Sequence, residues 1–188
     1  QRRDLDLDTG PQEGKCPPPP EASVEEGVFV FAYGSNLDSE RMRRRVPSAE
    51  LVGVTELPLH TLQFNKRSSK DGTAKANAFL TESASDTVEG VLYRTDAAGL
   101  AALDRIEGRG YGYERHEMPF SVVEGGQIRM YQASIYIAEE SHVDHALLPA
   151  EWYLAHVIRG AKEHGLSDGL LAWLEEHPFR DGQGTEVE

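Results

Sequence analysis

Val28-Phe29-Val30-Phe31-Ala32-Tyr33, broken by Gly34-Ser35-Asn36 and followed by Leu37 to Arg45, is the stretch that decides the architecture. Six apolar or aromatic residues in a row have the type and length of a buried strand. The Gly-Ser-Asn triplet ends that strand, and Leu37 to Arg45 reads as a short helix closed by Pro47. A strand that turns directly into a helix points several backbone N–H groups and the positive helix end at one spot, which suits a carboxylate or a phosphate. Ser35 or Asn36 is placed to cap the helix, and Gly34 lets a ligand approach the backbone closely. A capped helix after a strand, with no ligand at all, fits the same residues. Ser35 is not read as a nucleophile, because the Gly-x-Ser-x-Gly elbow is missing and no histidine is tied to it by local spacing.

Working outward, strand-like stretches follow at residues 51–57, 60–65, 74–81 and 88–94. Thr95 is the expected N-cap of a helix over residues 96–106, which stops at the cluster of Gly108, Gly110 and Gly112. Residues 114–123 and 128–137 flank Gly125-Gly126 and predict a hairpin. Residues 150–164 predict a helix with Gly165 at its left-handed stop and Leu166 set for the hydrophobic contact that follows such a stop. Ser167 caps a second helix that ends before Pro178. Many short strands with few helices predict an α+β fold, a small, mostly antiparallel β-barrel with flanking helices packed outside it. An open α/β sheet is the alternative, and the hairpin at Gly125 counts against it.

The chain has 188 residues, 39% hydrophobic, with 19 Lys+Arg against 32 Asp+Glu and a net charge of −13. That length predicts one domain with something attached. Residues 1–26 hold five of the ten prolines and seven acidic against three basic side chains, without a periodic apolar pattern. They read as a disordered, acidic, Pro-rich tail, residues 27–180 as the folded domain, and residues 181–188 as a frayed end. Thirteen net negative charges argue against nucleic acid, since counterion release needs a basic face. No apolar run approaches the ~20 residues of a membrane span, and no signal-peptide core is present. The single cysteine, Cys16, excludes an internal disulfide and a Cys-based zinc cluster. The expectation is an acidic, cytoplasmic domain that binds neither membrane nor nucleic acid.

Glu107 is the second feature. Leu100, Leu103 and Glu107 fall on one face of a helical period, so a carboxylate ends the apolar stripe that must be buried. At a helix C-terminus and short of water, such a group has the surroundings of a general acid/base. A last-turn glutamate reaching solvent past Gly108 is the plainer reading. Among weaker candidates, Arg41 to Arg45 reads as a solvated helix face, and Lys66, Arg67, Lys70 and Lys75 as the charged edges of a hairpin turn at Asp71-Gly72. His142 and His145 have metal-like spacing but lack a third ligand, so no metal is expected. The glycine cluster at 108–112 mimics a nucleotide loop but follows a helix instead of a strand. Trp152 and Trp173 read as core anchors.

Taken together, Phe31-Ala32-Tyr33-Gly34-Ser35-Asn36-Leu37 and, some seventy residues on, Leu103-Asp104-Arg105-Ile106-Glu107-Gly108 resemble the γ-glutamylcyclotransferase family. The segment from Phe64 to Ser68, with Lys70-Asp71-Gly72 and Lys75-Ala76-Asn77-Ala78, is similar to bacterial members, and Gly160 to Leu166 is similar to the family's C-terminal helix pair. The resemblance spans about residues 28–176 and implies a small barrel edged by helices. It also implies conversion of a γ-glutamyl amine or amino acid to 5-oxoproline and free amine, without a cofactor. In this chain Val30, Phe31, Ala32, Tyr33, Gly34 and Ser35 then line the γ-glutamyl site, with Asn36 and Leu37 completing the turn. Glu107 becomes the acid/base, and Tyr153 and Tyr113 become substrate contacts. The partner implied is a small γ-glutamyl molecule, and the resemblance leaves room for a homodimer.

There are departures. The glutathione-specific branch resembles Tyr-Gly-Ser-Leu at the turn, where this chain has Asn36, and Leu170 stands where a tyrosine of the last helix is expected. Two other classes remain open at this point: a catalytically silent module that captures a carboxylate-bearing ligand, and a tailoring enzyme that removes a γ-glutamyl group from a carrier-linked or antibiotic amine.

Overall fold

The computed structural model describes residues 24–25 and 27–181. Its strands are β1 (Val24–Glu25), β2 (Val28–Ala32), β3 (Glu50–Pro58), β4 (His60–Arg67), β5 (Ala74–Leu80), β6 (Thr87–Thr95), β7 (Tyr113–Glu124) and β8 (Gln127–Ala138). Its helices are α1 (Ser39–Arg45), α2 (Ala97–Glu107), α3 (Glu151–Glu163) and α4 (Asp168–Glu176). Six strands form one sheet along the path β1-β8-β2-β6-β3, with β7 on the other side of β8, while β4 and β5 form a separate hairpin. The pairings β2–β6, β3–β6, β4–β5 and β7–β8 are antiparallel, and β8 pairs in parallel with β1 and β2.

The expected α+β class with mostly antiparallel strands and flanking helices holds, but the barrel is not closed. β3 and β7 meet at its seam through side chains: Thr55 Oγ1 donates to the Ser121 carbonyl at 2.7 Å. A Cβ on Gly53 would stand 2.6 Å from Val122 Cγ1, so glycine there lets the two strands approach. The second hairpin is tied to the first sheet by Asn77 Oδ1, which accepts from Ala138 N at 3.0 Å. Phe31, Val91, Leu92, Ile135 and Leu103 are fully buried in the core.

Several caps differ from expectation. Ser35–Leu37 forms a 3-10 turn, and Asp38, not Ser35 or Asn36, caps α1 by accepting from Glu40 and Arg41. Asp96 caps α2 in place of Thr95, accepting from Gly99 N at 2.7 Å. A carboxylate one position along takes the same role because Thr95 is still in the β6 ladder. Gly108 ends α2 in the left-handed conformation, and Leu166 N bonds back to the Ala161 carbonyl at 3.0 Å after α3. β1 lies inside the segment read as tail, so its two residues pair with the sheet. The rest of that segment, Cys16 included, and residues 182–188 lie outside the described residues. No helix among the described residues is long and apolar enough to cross a membrane.

Candidate active site

A cleft of about 270 Å³ opens where β2 runs into its turn. Val30 to Asn36 line it; Leu37 does not. Leu37 is fully buried, and its carbonyl accepts from His164 Nε2 at 2.8 Å. A Cβ on Gly160 of α3 would come within 2.3 Å of Leu37, so that glycine brings α3 directly against the turn. The N–H of Leu37 is used within the turn, bonded to the Gly34 carbonyl at 3.0 Å. Gly34 itself is needed for packing: a Cβ there would stand 2.9 Å from Ala76 Cβ and 3.0 Å from the Tyr153 hydroxyl.

Glu107 reaches the cleft from the last turn of α2, with its side chain 18% exposed. Leu103 carries the buried face of that helix, as its period requires. Two partners that the sequence reading did not assign hold the carboxylate. Asn36 Nδ2 donates to Glu107 Oε1 at 3.0 Å, and Arg45 Nη1 stands 3.6 Å from the same oxygen. Arg45 Nη1 also donates to Asn36 Oδ1 at 2.9 Å, so the Asn36 amide bridges cation and carboxylate. The charged form of Glu107 therefore faces a cation and an N–H donor.

The tyrosines form a second layer. Tyr153 oxygen accepts from Ala76 N at 3.1 Å while the Tyr113 hydroxyl donates to the Ala76 carbonyl. The two phenols thus clasp Ala76 of β5 through its N–H and its carbonyl, and hold that residue against Gly34. Tyr33 donates to the Tyr136 carbonyl. Burial raises the pKa of Tyr33, Tyr113 and Tyr153 above the phenol range, so these hydroxyls stay protonated.

The cleft wall is far more basic than the chain. Arg41, read in the sequence as part of a solvated face, is buried; its Nε donates to Ser35 Oγ at 3.2 Å, and its guanidinium lies 5.6 Å from the Trp152 ring centre. Burial and the neighbouring Arg45 charge hold its pKa down to about 10, so it remains a cation at neutral pH. Only Arg43 and Arg44 of that run are exposed. The i, i+4 spacing of Arg41 and Arg45 just after the turn is the signal that could have found them. Lys66 and Lys75, read as hairpin edges, also line the cleft. Lys75 Nζ bonds Asp71 Oδ2 at 2.8 Å and lies 4.7 Å from the ring centres of both Trp152 and Tyr153. Trp152 packs against the core, as expected, and also walls the cleft, while Trp173 is 40% exposed and stacks on Phe64. Leu170 packs against the core and does not line the cleft.

This arrangement offers a narrow acid/base site: one positioned carboxylate, a backbone turn with polar groups, and cations beyond them. The family model described as Gamma-glutamyl cyclotransferase, AIG2-like, matches residues 30–155. The chain is 34% identical over 171 residues to the γ-glutamylcyclotransferase of Bos taurus, covering 87% of each chain. It is 33% identical over 172 residues to the protein of the same name from Homo sapiens, again covering 87% of each. A solved structure titled gamma-glutamyl cyclotransferase superposes with a TM-score of 0.69 at 27% identity, over 87% of this chain and 95% of that one.

Proposed function

The chain belongs to the γ-glutamyl cyclotransferase, AIG2-like family, and from that premise we propose that its cyclotransferase reaction on γ-glutamyl substrates is run by Glu107 as a single acid/base. The substrate α-amine attacks its own γ-carbonyl, and the new C–N bond closes the five-membered 5-oxoproline ring. The old bond to the acceptor nitrogen breaks. Because nucleophile and electrophile belong to one molecule, catalysis needs mainly the right fold of the glutamyl chain. Glu107 takes the proton from the attacking nitrogen and returns it to the leaving one. The turn from Gly34 to Asn36 and the Ser35 hydroxyl hold the polar glutamyl end, and Tyr113 and Tyr153 wall the cleft.

The observation that carries this reading is the Asn36–Glu107 bond, which brings the two sequence motifs together over 71 positions at one cleft. The substrate is a small molecule and no cofactor enters the scheme. The acidic charge and single cysteine support a cytoplasmic enzyme without membrane or nucleic-acid partners; a homodimer is compatible with the same scheme. The test is 5-oxoproline release from a simple γ-glutamyl substrate by wild type and Glu107→Gln. The near-isosteric amide should keep the thermal midpoint and lose roughly 10²–10⁴-fold in kcat. Turnover by the variant within about threefold of wild type, well below that range, would remove Glu107 from the mechanism. Absence of turnover by wild type would favour a silent binding module.

A further inference from the structure

Three of the cations on the cleft wall already face a partner. Arg41 bonds Ser35, Arg45 bridges Asn36 to Glu107, and Lys75 pairs with Asp71. Lys66 is different. Among the described residues its ammonium has an aromatic face, the Tyr113 ring at 4.6 Å, but no carboxylate within ion-pair distance. The fold builds this placement deliberately enough to trace. A β-bulge between Phe64 and Lys66 breaks the alternation of β4, so that Phe64, Asn65 and Lys66 are buried in succession; bulges of this kind re-aim a side chain. Gly112 leaves the room for it, because a Cβ there would stand 2.7 Å from Lys66 Cε and 2.9 Å from Nζ. Burial disfavours the charged form of Lys66 and lowers its pKa, although Glu107 and Asp71 pull the other way. An anion arriving in the cleft relieves that cost by supplying the missing counter-charge.

We propose that Lys66 is a specificity-determining residue that takes the carboxylate carried by the leaving amine, so that the enzyme prefers γ-glutamyl amino acids to γ-glutamyl amines. The inference rests on the cyclotransferase reading above and deepens it. The glutamyl end has the Gly34–Asn36 turn, and Lys66 serves the other end of the scissile amide. A charge-assisted hydrogen bond of this kind contributes about 1.5–3 kcal/mol, or roughly 10- to 100-fold in kcat/KM.

The experiment compares γ-glutamylalanine with γ-glutamylethylamide, which differ only in the acceptor carboxylate, in wild type and Lys66→Met. Wild type should prefer the alanine substrate by roughly 10-fold or more, and the ratio should fall to near one in the variant, chiefly through KM. A second measurement needs no variant: alanine should inhibit wild type competitively and ethylamine should not at equal concentration. An unchanged ratio in K66M, or equal inhibition by both products, overturns the assignment. Equal losses on both substrates also overturn it, since they give Lys66 to the glutamyl carboxylate or to the fold. Wild-type inactivity on both substrates sinks the cyclotransferase reading itself, which separates that failure from failure of the Lys66 assignment.

Discussion

Asn36 illustrates how one residue can belong to two readings. In the sequence it marks the turn and a branch of the family; in the fold its side chain is spent on Glu107 and Arg45. That makes it a positioning residue for Glu107 in the proposed acid/base role. Asn36→Ala should lower kcat by roughly 10- to 100-fold, the worth of a hydrogen bond to a charged group, with KM changed far less. Steady-state kinetics on one γ-glutamyl substrate check this, and Asn36→Asp adds a discriminating arm. A carboxylate there repels Glu107 and should be worse than alanine despite its similar shape. Equal kcat in wild type and N36A would leave the bond without a catalytic role.

At the scale of elements, the site depends on how α3 seats against the turn. Gly160 allows backbone contact with Leu37 and Asp38, so Gly160→Ala must push α3 away from the residues that carry the cleft. Overpacking of this kind costs about 1–3 kcal/mol, which should lower the thermal midpoint by roughly 2–4 °C per kcal/mol and reduce turnover with it. A variant with wild-type midpoint and rate would contradict that close packing. The same contact carries an electrostatic stitch. Asp38 Oδ2 accepts from His156 Nδ1 at 2.6 Å and from Arg159 Nη1 at 3.0 Å. Burial pushes the Asp38 carboxyl up, but the His156 hydrogen bond, the Arg41 N–H and the Arg159 charge outweigh it, and its pKa is lowered. Burial likewise lowers His156 against the pull of Asp38.

Both directions have the same consequence with acid. A histidine held below its free value of about 6.5 stabilises the fold fully above that pH, and the stability is lost as pH falls from there through its folded value. Asp38 adds a second loss below about 3.9, as its own lowered folded value is passed. The thermal midpoint should therefore drop between about pH 7.5 and 5 in wild type. His156→Gln, lower at the outset, should drop less over that interval. Parallel curves for the two proteins would take His156 out of the acid response.

For the whole molecule, the question is how much of the chain the site needs. The apolar pattern begins at Val28, yet β1 extends the sheet by pairing Val24 and Glu25 with Met130 and Tyr131. A protein starting at Val24 should match the full chain in midpoint and turnover, whereas one starting at Gly27 should lose about 2–4 °C, the shift of a ~1 kcal/mol effect in a chain this long. Calorimetry on the two shortened proteins checks the difference. A large loss on starting at Val24 would mean that the preceding residues also contribute to the fold.

The sequence by itself determined the elements and two motifs: a continuous apolar run must be a buried strand, glycines 108 and 165 must end helices, and Gly125-Gly126 must turn a hairpin. These are local consequences of backbone freedom and hydrophobic period, legible within a window of ten residues. It also placed Glu107 on the buried side of its helix, because Leu103 shares that face. Only the tertiary structure decided what Glu107 meets. Arg45 looked like one of several solvated arginines, and Lys66 like the edge of a turn, until helix packing and a bulge turned them inward. Tyr113 and Tyr153 converge on Ala76 of β5, 37 and 77 positions away, because β7 and α3 are both folded against that strand. Partners so far apart in the chain are chosen by how the sheet curls and where α3 seats, and no periodicity records that.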